Sequence, residues 1–356
     1  MVEWLAGNRI RGTSTERTTT TGFNTVAGVS GGWKELGRTT LGSAGDTISV
    51  ASLADKRYYM VLTDAIGVTS SLYPEVEING DTANNYAYRR AINGGADTSG
   101  TYKALFPTNT PVAIGETYFA VDYLSNLSAK EKLGISHDVF SEASGSGNAP
   151  SRQEHVSKWA NTSTVINRID RSEDGSGEYN TGSELVVLGW DPADTHTTNF
   201  WEELASVNAS GSSTNLSSGT ITAKKYLWIQ CFTKGWTTGV NMTFNNDTGN
   251  NYARRYSNLG AADGTSVNEP SIADMVGGAS SNPSFTNIFI VNNSANEKLA
   301  IGHNVDNNGT GATNYPDRIE MVGKWANTSA QITEIDLDST GSNFSSNSIL
   351  KVWGSN

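Results

Sequence analysis

The sequence reads NGDTANNYA at residues 79–87 and, 166 residues further on, NNDTGNNYA at residues 245–253. EKLGISH at residues 131–137 returns at the same offset as EKLAIGH, and KWANTS at residues 158–163 returns unchanged. Chance matches would not keep one register over three separate stretches, and a fixed repeat period indicates repeated structural units. The chain therefore contains two copies of one domain.

The matching ends of the two copies give the domain boundaries. WKEL at residues 33–36 has its counterpart in WEEL at the start of the second copy. We predict a first domain at 33–190, a short polar linker at 191–200 and a second domain at 201–356. A chain of 356 residues has room for two such domains.

Residues 1–32 have no counterpart in the second copy. They are rich in Thr, Gly and Ser and contain few apolar residues to bury. This composition predicts an extended N-terminal arm that is disordered alone and becomes ordered against a partner.

Each copy contains short runs of β-branched and aromatic residues between turn-forming Gly, Asn, Asp and Ser. Examples are YYMVL at residues 58–62, LVVL at 185–188 and NIFIV at 287–291. Residues 75–78 and 165–169 alternate polar with apolar side chains, which is typical of a strand with one face in water. We therefore predict that both copies are built from strands.

Helical patterns are scarce, and the only short helical turns that we predict lie near residues 128–131 and 271–275. About eight or nine strands in each copy indicate a sandwich. The predicted fold is all-β, with two tandem antiparallel β-sandwich domains of jelly-roll type. An immunoglobulin-like sandwich is the alternative, but these copies are long for that fold and lack its cysteine pair.

The net charge of −11 repels nucleic-acid phosphates and anionic membrane surfaces. We therefore expect neither nucleic acid nor membrane as a partner. Cys231 is the single cysteine, and its apolar neighbours predict a buried thiol in a strand. Residues 1–7 lack the charged start and apolar core of a signal peptide. We expect the chain to be made in a host cytoplasm.

The sequence offers no recognisable catalytic set. Of the four histidines, His137 and His303 occupy equivalent positions, His155 is replaced by Met321 in the second copy, and His196 lies in the linker. No nucleophile-elbow pattern or phosphate-binding glycine loop is present. We predict no catalytic residues.

Repeated carboxylates could in principle serve a glycosidase. Glu154 and Glu320 recur together with Arg152 and Arg318, which stand two residues earlier. On an extended strand, residues two apart share a face, so these pairs are better explained as structural ion pairs.

The stretches at residues 79–85 and 245–251 are rich in oxygen ligands. Asp81 and Asp247 lie at equivalent places within them. Calcium takes such carboxylate and carbonyl oxygens, so these two residues are candidate metal ligands and calcium is the one candidate cofactor. Ordinary turn chemistry is the competing explanation, because the carboxylates are few and the EF-hand spacing is absent.

Aromatic residues near arginines are candidate ligand-binding residues. Tyr86 and Tyr252 recur with arginines a few positions later, and Trp236 stands in a polar stretch without a counterpart. Such rings can stack on sugars or on flat ligands. The competing interpretation places Tyr86 and Tyr252 in the core, and we predict Trp159 and Trp325 as core anchors.

Several stretches resemble a family of uncharacterised tandem-repeat proteins from marine viral and environmental sequences. They are NRIRGTSTER at residues 8–17, WKELGRTTLG at 33–42, NNYARR at 250–255 and EKL at 297–299. The resemblance covers nearly the whole chain, including the arm. It implies a structural protein of a virus-like particle, such as a capsid decoration or tail-associated protein.

We therefore expect a non-enzymatic virion structural protein that contacts other virion proteins or further copies of itself through its arm. A carbohydrate-binding or receptor-binding lectin-like module that recognises surface glycans is the alternative. An enzyme is a third, weaker hypothesis.

Overall fold

The computed structural model describes residues 32–69, 72–174, 177–192, 194, 198–235, 239–274, 282–307 and 309–356. All regular secondary-structure elements within these ranges are β-strands. The described ranges contain no helix long and apolar enough to cross a membrane. The predicted N-terminal arm lies outside them, except for Gly32.

The first copy consists of β1 (Lys34–Thr40), β2 (Thr47–Ala51), β3 (Tyr58–Ile66), β4 (Pro74–Ile78), β5 (Tyr86–Ile92), β6 (Thr98–Tyr102), β7 (Thr117–Ser125), β8 (Lys132–Phe140), β9 (Ser151–Trp159), β10 (Arg168–Glu173) and β11 (Glu184–Trp190). The second copy consists of β12 (Glu202–Asn208), β13 (Asn215–Ser217), β14 (Tyr226–Thr233), β15 (Gly239–Phe244), β16 (Tyr252–Asn258), β17 (Gly264–Glu269), β18 (Ala273–Asp274), β19 (Ser284–Val291), β20 (Lys298–Asp306), β21 (Asp317–Trp325), β22 (Ile335–Thr340) and β23 (Ile349–Ser355).

Each copy has one large and one small antiparallel sheet. The large sheets have eight strands each, in the orders β1-β11-β3-β7-β8-β9-β5-β6 and β12-β23-β14-β19-β20-β21-β16-β17. The small sheets are β2-β10-β4 and β13-β22-β15-β18. The prediction of two tandem antiparallel β-sandwiches is confirmed, with the strands divided unevenly between the sheets.

Neither of the two predicted helical turns is helical in the structure. Residues 128–130 form a turn before β8, and Ala273–Asp274 form β18. In β18, pairing with Asn241 and Met242 of β15 provides backbone hydrogen bonds that a helix would have provided locally. Met275 lies outside the described residues.

The register of the strands identifies equivalent residues in the two copies. Tyr58 of β3 lies opposite Ser125, and Tyr226 of β14 lies opposite Val291, which is 166 residues after Ser125. Tyr58 and Tyr226 are therefore counterparts. From β4 onward the offset is 166, because Ile169 faces Ile78 as Ile335 faces Phe244.

The inner face of each large sheet packs on the small sheet. In the first copy, Tyr59 and Val61 of β3 join Ile48, Ile78 and Ile169 of the small sheet in one buried cluster. In β3 and β11, the residues between the inward-facing ones are also apolar. Met60, Leu62, Val186 and Leu188 belong to a different cluster that contains residues of both copies. The outer faces of the two large sheets therefore pack against each other.

One prediction from alternation is wrong. Residues 75–78 form β4 as expected, but Glu75 is completely buried and does not face water. The segment after β6 pairs with β4 through Leu105 and Val76 and covers this side. Burial raises the pKa of Glu75 to about 7, although Lys103 lies 3.4 Å from its carboxylate.

Candidate binding face

The loop after β4 holds the main tryptophan of the first core. Asn79 and Gly80 have positive φ angles of 56° and 68°, which suits the Asn-Gly pair in a tight turn. Asp81 then accepts hydrogen bonds from Trp159 Nε1 at 2.8 Å, from Asn85 Nδ2 at 2.9 Å and from the backbone N of Ala83. The carboxylate thus clamps the turn to a buried indole.

The second copy repeats this clamp. Asp247 accepts hydrogen bonds from Trp325 Nε1 at 2.7 Å, from Asn251 Nδ2 at 2.9 Å and from the backbone N of Gly249. Trp159 and Trp325 are both 1% exposed, which confirms their prediction as core anchors. We call this arrangement of aspartate, turn and indole the turn–tryptophan unit.

The two candidate calcium ligands therefore already hold structural hydrogen bonds. Burial alone would raise the pKa of Asp81, but hydrogen bonds from Asn85, Trp159 and Ala83 hold that pKa below its ordinary value. Within the described ranges no group of three His, Cys, Asp or Glu side chains could hold a metal ion. Calcium binding at these loops stays a prediction.

Tyr86 and Tyr252 belong to the same units and are buried, with at most 1% of each exposed. The Tyr86 hydroxyl donates to the carbonyl oxygen of Asp81 at 2.9 Å and accepts from the backbone N of Ile78. Its ring is stacked on Trp159, with 6.3 Å between the ring centroids. Neither tyrosine offers a ring face to an external ligand here, and Trp236 lies outside the described residues.

Arg, Asp, Ser and His side chains, which are common in active sites, lie in contact with one another inside the first core. Arg171 forms a fully buried ion pair with Asp122, and Ser136 Oγ donates to Asp138 at 2.5 Å. His155 Nε2 lies 3.5 Å from the other oxygen of Asp138. All five side chains lie between the sheets with at most 2% of each residue exposed, so a substrate cannot reach them.

The second copy keeps its shape without this polar cluster. The counterparts of Arg171, Asp122 and His155 are Leu337, Ile288 and Met321. Buried ion pairs can often be replaced by apolar residues of similar volume without loss of the fold. The cluster is therefore one of two ways to fill the same core.

The interface between the copies is rich in aromatic residues. From the second copy, Trp201, Trp228, Phe289 and Trp353 belong to the shared cluster. Tyr226 stacks on Phe119 of the first copy, with 6.4 Å between the ring centroids. Large aromatic side chains bury much apolar area and dominate such contacts.

Buried polar contacts fix the position of the two copies relative to each other. Arg152 donates two hydrogen bonds to the carboxylate of Asp263, at 2.8 and 2.9 Å. Lys324 Nζ donates to the carbonyl oxygens of Ser141 and Ala143, at 2.9 and 2.7 Å. Arg152 also pairs with Glu154, and Arg318 Nη1 lies 2.8 Å from Glu320, as the sequence predicted for both pairs.

Part of the outer face of the first copy forms an aromatic cleft of about 520 Å³. The rings of Tyr58 and Trp190 are stacked at its wall, 5.4 Å apart. The cleft is lined by Trp33, Tyr58, Tyr59, Tyr123, Leu124, Ser125, Leu133, Gly134, Ile135, Trp190 and Pro192. Exposed rings in a concave apolar site are the usual setting for ligand or partner binding.

The candidate residues from the sequence do not line this cleft, and no motif or repeated residue points to the residues that do. A signal for it does exist. Tyr58–Leu62 and Leu185–Leu188 are apolar at successive positions, which indicates strands with both faces covered. An apolar outer face without enough cover would then be the candidate surface.

No protein-family model matches the chain, and no curated protein matches it. Among solved structures it is similar to the LG1-3 region of the laminin alpha2 chain, with 7% identity and a TM-score of 0.22. That match covers 87% of this chain and 64% of the laminin chain. A chain from a structure described as "Unveiling the Mechanism Behind the in-meso Crystallization of Membrane Proteins" has 8% identity and a TM-score of 0.13, with 75% and 82% covered. Scores this low carry no argument about function.

We expect Asp81→Ala to lower the free energy of unfolding by roughly 1–3 kcal/mol, because it leaves the Trp159 N–H without its acceptor. Asp247→Ala should have the same effect, and Asp46→Ala, on an exposed loop, should have almost none. Thermal unfolding with and without millimolar calcium measures both effects. A calcium-dependent rise in melting temperature that Asp81→Ala abolishes would show a metal site instead.

The rings of His137 and His303 meet across the interface, with 4.5 Å between their centroids. Burial, then the neighbouring His303, lower the pKa of His137 to about 3, and burial also lowers the pKa of His303. The folded protein thus disfavours protonation of both rings, whereas the unfolded chain takes up protons below about pH 6.5. Stability should therefore fall as the pH drops below that value.

For His137 alone, the loss between pH 7 and pH 5 should be on the order of 2 kcal/mol. Chemical unfolding at the two pH values measures it. The double variant His137→Gln/His303→Gln should show a smaller difference. Equal pH dependence in the parent and the double variant would contradict the assignment.

Proposed function

We propose that this chain is a non-enzymatic structural protein of a virus particle, either a capsid decoration protein or a tail-associated protein. The packing of the two large sheets, outer face against outer face, supports this proposal most directly. It joins two sandwiches into one building block, and it leaves apolar surface next to the joint for further protein. The family resemblance of the sequence points in the same direction.

In this role the protein is made in a host cytoplasm and resides in the virion. Its partners are other virion proteins or further copies of the chain, contacted through residues 1–32. The net charge of −11 keeps such a protein soluble and away from packaged nucleic acid. The stable turn–tryptophan units serve to hold each sandwich in shape.

Immunogold electron microscopy of purified particles tests this role. We expect label spread over a shell for a decoration protein, and label confined to the tail for a tail-associated protein. Particles made with a chain that lacks residues 1–31 should carry less label, since the arm provides docking. Absence of label from all particles would contradict the virion role, and unchanged incorporation of the shortened chain would contradict the role of the arm.

A receptor-binding lectin is the second candidate, and the aromatic cleft favours it. Stacked rings such as Tyr58 and Trp190 are suited to the apolar face of a sugar ring. The cleft volume of about 520 Å³ is within the range for small-molecule sites. Surface glycans would be the ligands.

A glycan array with the purified protein tests the lectin. A binding glycan should lose affinity about tenfold or more with Trp190→Ala, if stacking of a sugar face is worth as much as the roughly 1–3 kcal/mol of a base on an aromatic ring. Tyr315→Ala removes a tyrosine that is 83% exposed outside the cleft and should leave affinity unchanged. No binding on the array, or equal losses in both variants, would remove support for this role.

A further inference from the structure

The two copies do not cover each other equally. Along β8 the outward side chains run from Leu133, which is 58% exposed, to Val139, which is completely buried. Along β20 the order is reversed: Leu299 is completely buried and Val305 is 42% exposed. His137 and His303 meet at the middle of these strands. The interface therefore uses opposite ends of β8 and β20, although residues of neighbouring strands, such as Met60 and its counterpart Trp228, are buried in both copies.

Other strands of the large sheets show the same division. Tyr58 and Val156 are at least 36% exposed, whereas their counterparts Tyr226 and Val322 are at most 3% exposed. Conversely, Phe285 is 41% exposed and its counterpart Phe119 is 1% exposed.

This division leaves two apolar patches. The first-repeat patch consists of Tyr58, Leu133, Ile135 and Val156, and the second-repeat patch consists of Phe232, Phe285 and Val305. In the second repeat, the counterparts of the first-repeat patch are buried against the other repeat. In the first repeat, the counterparts of Phe285 and Val305 are buried in the same way. Exposed apolar patches beside an established interface mark sites of protein contact.

We propose that these two patches bind each other between separate copies of the chain. The contact would reproduce part of the one inside the chain: each patch takes the part that its buried counterparts play in the other repeat. Met60 and Leu188, the counterparts of Trp228 and Trp353, are already buried inside the chain and lie outside this second contact. Such a contact between unlike surfaces is heterologous. It adds a surface and a partner to the proposed function, but it concerns the purified protein and needs no particle.

The aromatic contact carries over directly. Inside the chain, Phe119 stacks on Tyr226. Their counterparts are Phe285 and Tyr58, which are both exposed and still aromatic. The contact between copies therefore brings Tyr58 of one chain against Phe285 of another.

The main ion pair also carries over. Inside the chain, Arg152 binds Asp263 through two hydrogen bonds. The counterparts are Arg318 and Asp97, whose side chains are 58% and 51% exposed and have opposite charges. Charge complementarity of this kind selects the correct partner and orientation.

The two residues of a backbone contact are also the same at the equivalent positions. Arg255 Nε donates to the carbonyl oxygen of Pro150 at 2.8 Å, and the counterparts are Arg89 and Pro316.

One contact differs. Lys225 binds Asp64 and Glu184, at 2.9 and 3.2 Å. Its counterpart Arg57 would meet Phe232 and Ile349, so the contact between copies gains apolar area there and loses two ion pairs. We therefore expect it to be weaker than the contact inside the chain, and to depend on protein concentration.

Mass photometry and light scattering over a range of concentrations test the proposal with the full chain. We expect assemblies of two or more copies that dissociate on dilution. Ile135→Glu and Phe285→Glu should each raise the concentration for half-assembly about tenfold or more, because each buries an unpaired charge. Ile114→Glu changes an exposed apolar residue outside both patches and should have no effect. Unfolding curves identify any variant that no longer folds.

Cross-linking identifies the pairs of patches. Native Cys231 is buried, so single Tyr58→Cys and Phe285→Cys variants each present one accessible thiol. A short bismaleimide should join the two variants when they are mixed, and should join neither variant to itself.

Four outcomes would overturn the proposal. They are a protein that stays monomeric at all concentrations, Tyr58→Cys joined to itself, a cross-link that forms only within one chain when Tyr58→Cys and Phe285→Cys are combined in that chain, and assembly that requires residues 1–31 but tolerates both glutamate substitutions. Assembly in solution together with absence of label from particles would support the contact and contradict only the virion role.

Discussion

The structure depends on strands that must be covered on both faces. In β3 and β11 successive residues are apolar, so the large sheet of the first copy has an apolar inner face and an apolar outer face. The small sheet can cover only the inner one. Because exposed apolar area costs about 25 cal/mol per Å², the outer face needs a second layer of protein. The other copy provides that layer, and the two domains are therefore parts of one block, not two separate units.

Within that block, the two cores keep their geometry in different ways. The turn–tryptophan unit is the same in both copies, down to the bond from indole to carboxylate. The centre of the core is not: Arg171 and Asp122 stand where Leu337 and Ile288 stand in the second copy. A clamp at the edge of the sheet fixes the path of the chain, whereas the core requires only filled volume and paired charges. The two copies therefore share the same clamp but differ in the residues that fill the core.

The same distinction explains what the sequence could predict. Repeats, turn residues and β-rich runs depend on local chemistry, and they correctly predicted two β-sandwiches and the buried Trp159 and Trp325. Alternation reveals which side of a strand a residue faces, but not what covers that side. Alternation therefore predicts that Glu75 faces water, whereas a neighbouring segment buries it. Asp81 and Tyr86 are candidate ligand residues by sequence alone, because their hydrogen bonds within the protein become visible only in the folded structure. There Asp81 binds the Trp159 indole and Tyr86 binds the backbone. The arm and Trp236 lie outside the described residues.

The unequal cover of the two faces gives the duplication its physical meaning. If like surfaces were paired symmetrically, both copies would bury the same residues, and the pair would be complete. Here Val139 is buried and Val305 is exposed, while Leu299 is buried and Leu133 is exposed. Fusion in one chain ensures that one such contact always forms, because the linker keeps the partners at high effective concentration. The same fusion leaves the first-repeat patch and the second-repeat patch exposed beside that contact. Burying these two patches would stabilise the protein further.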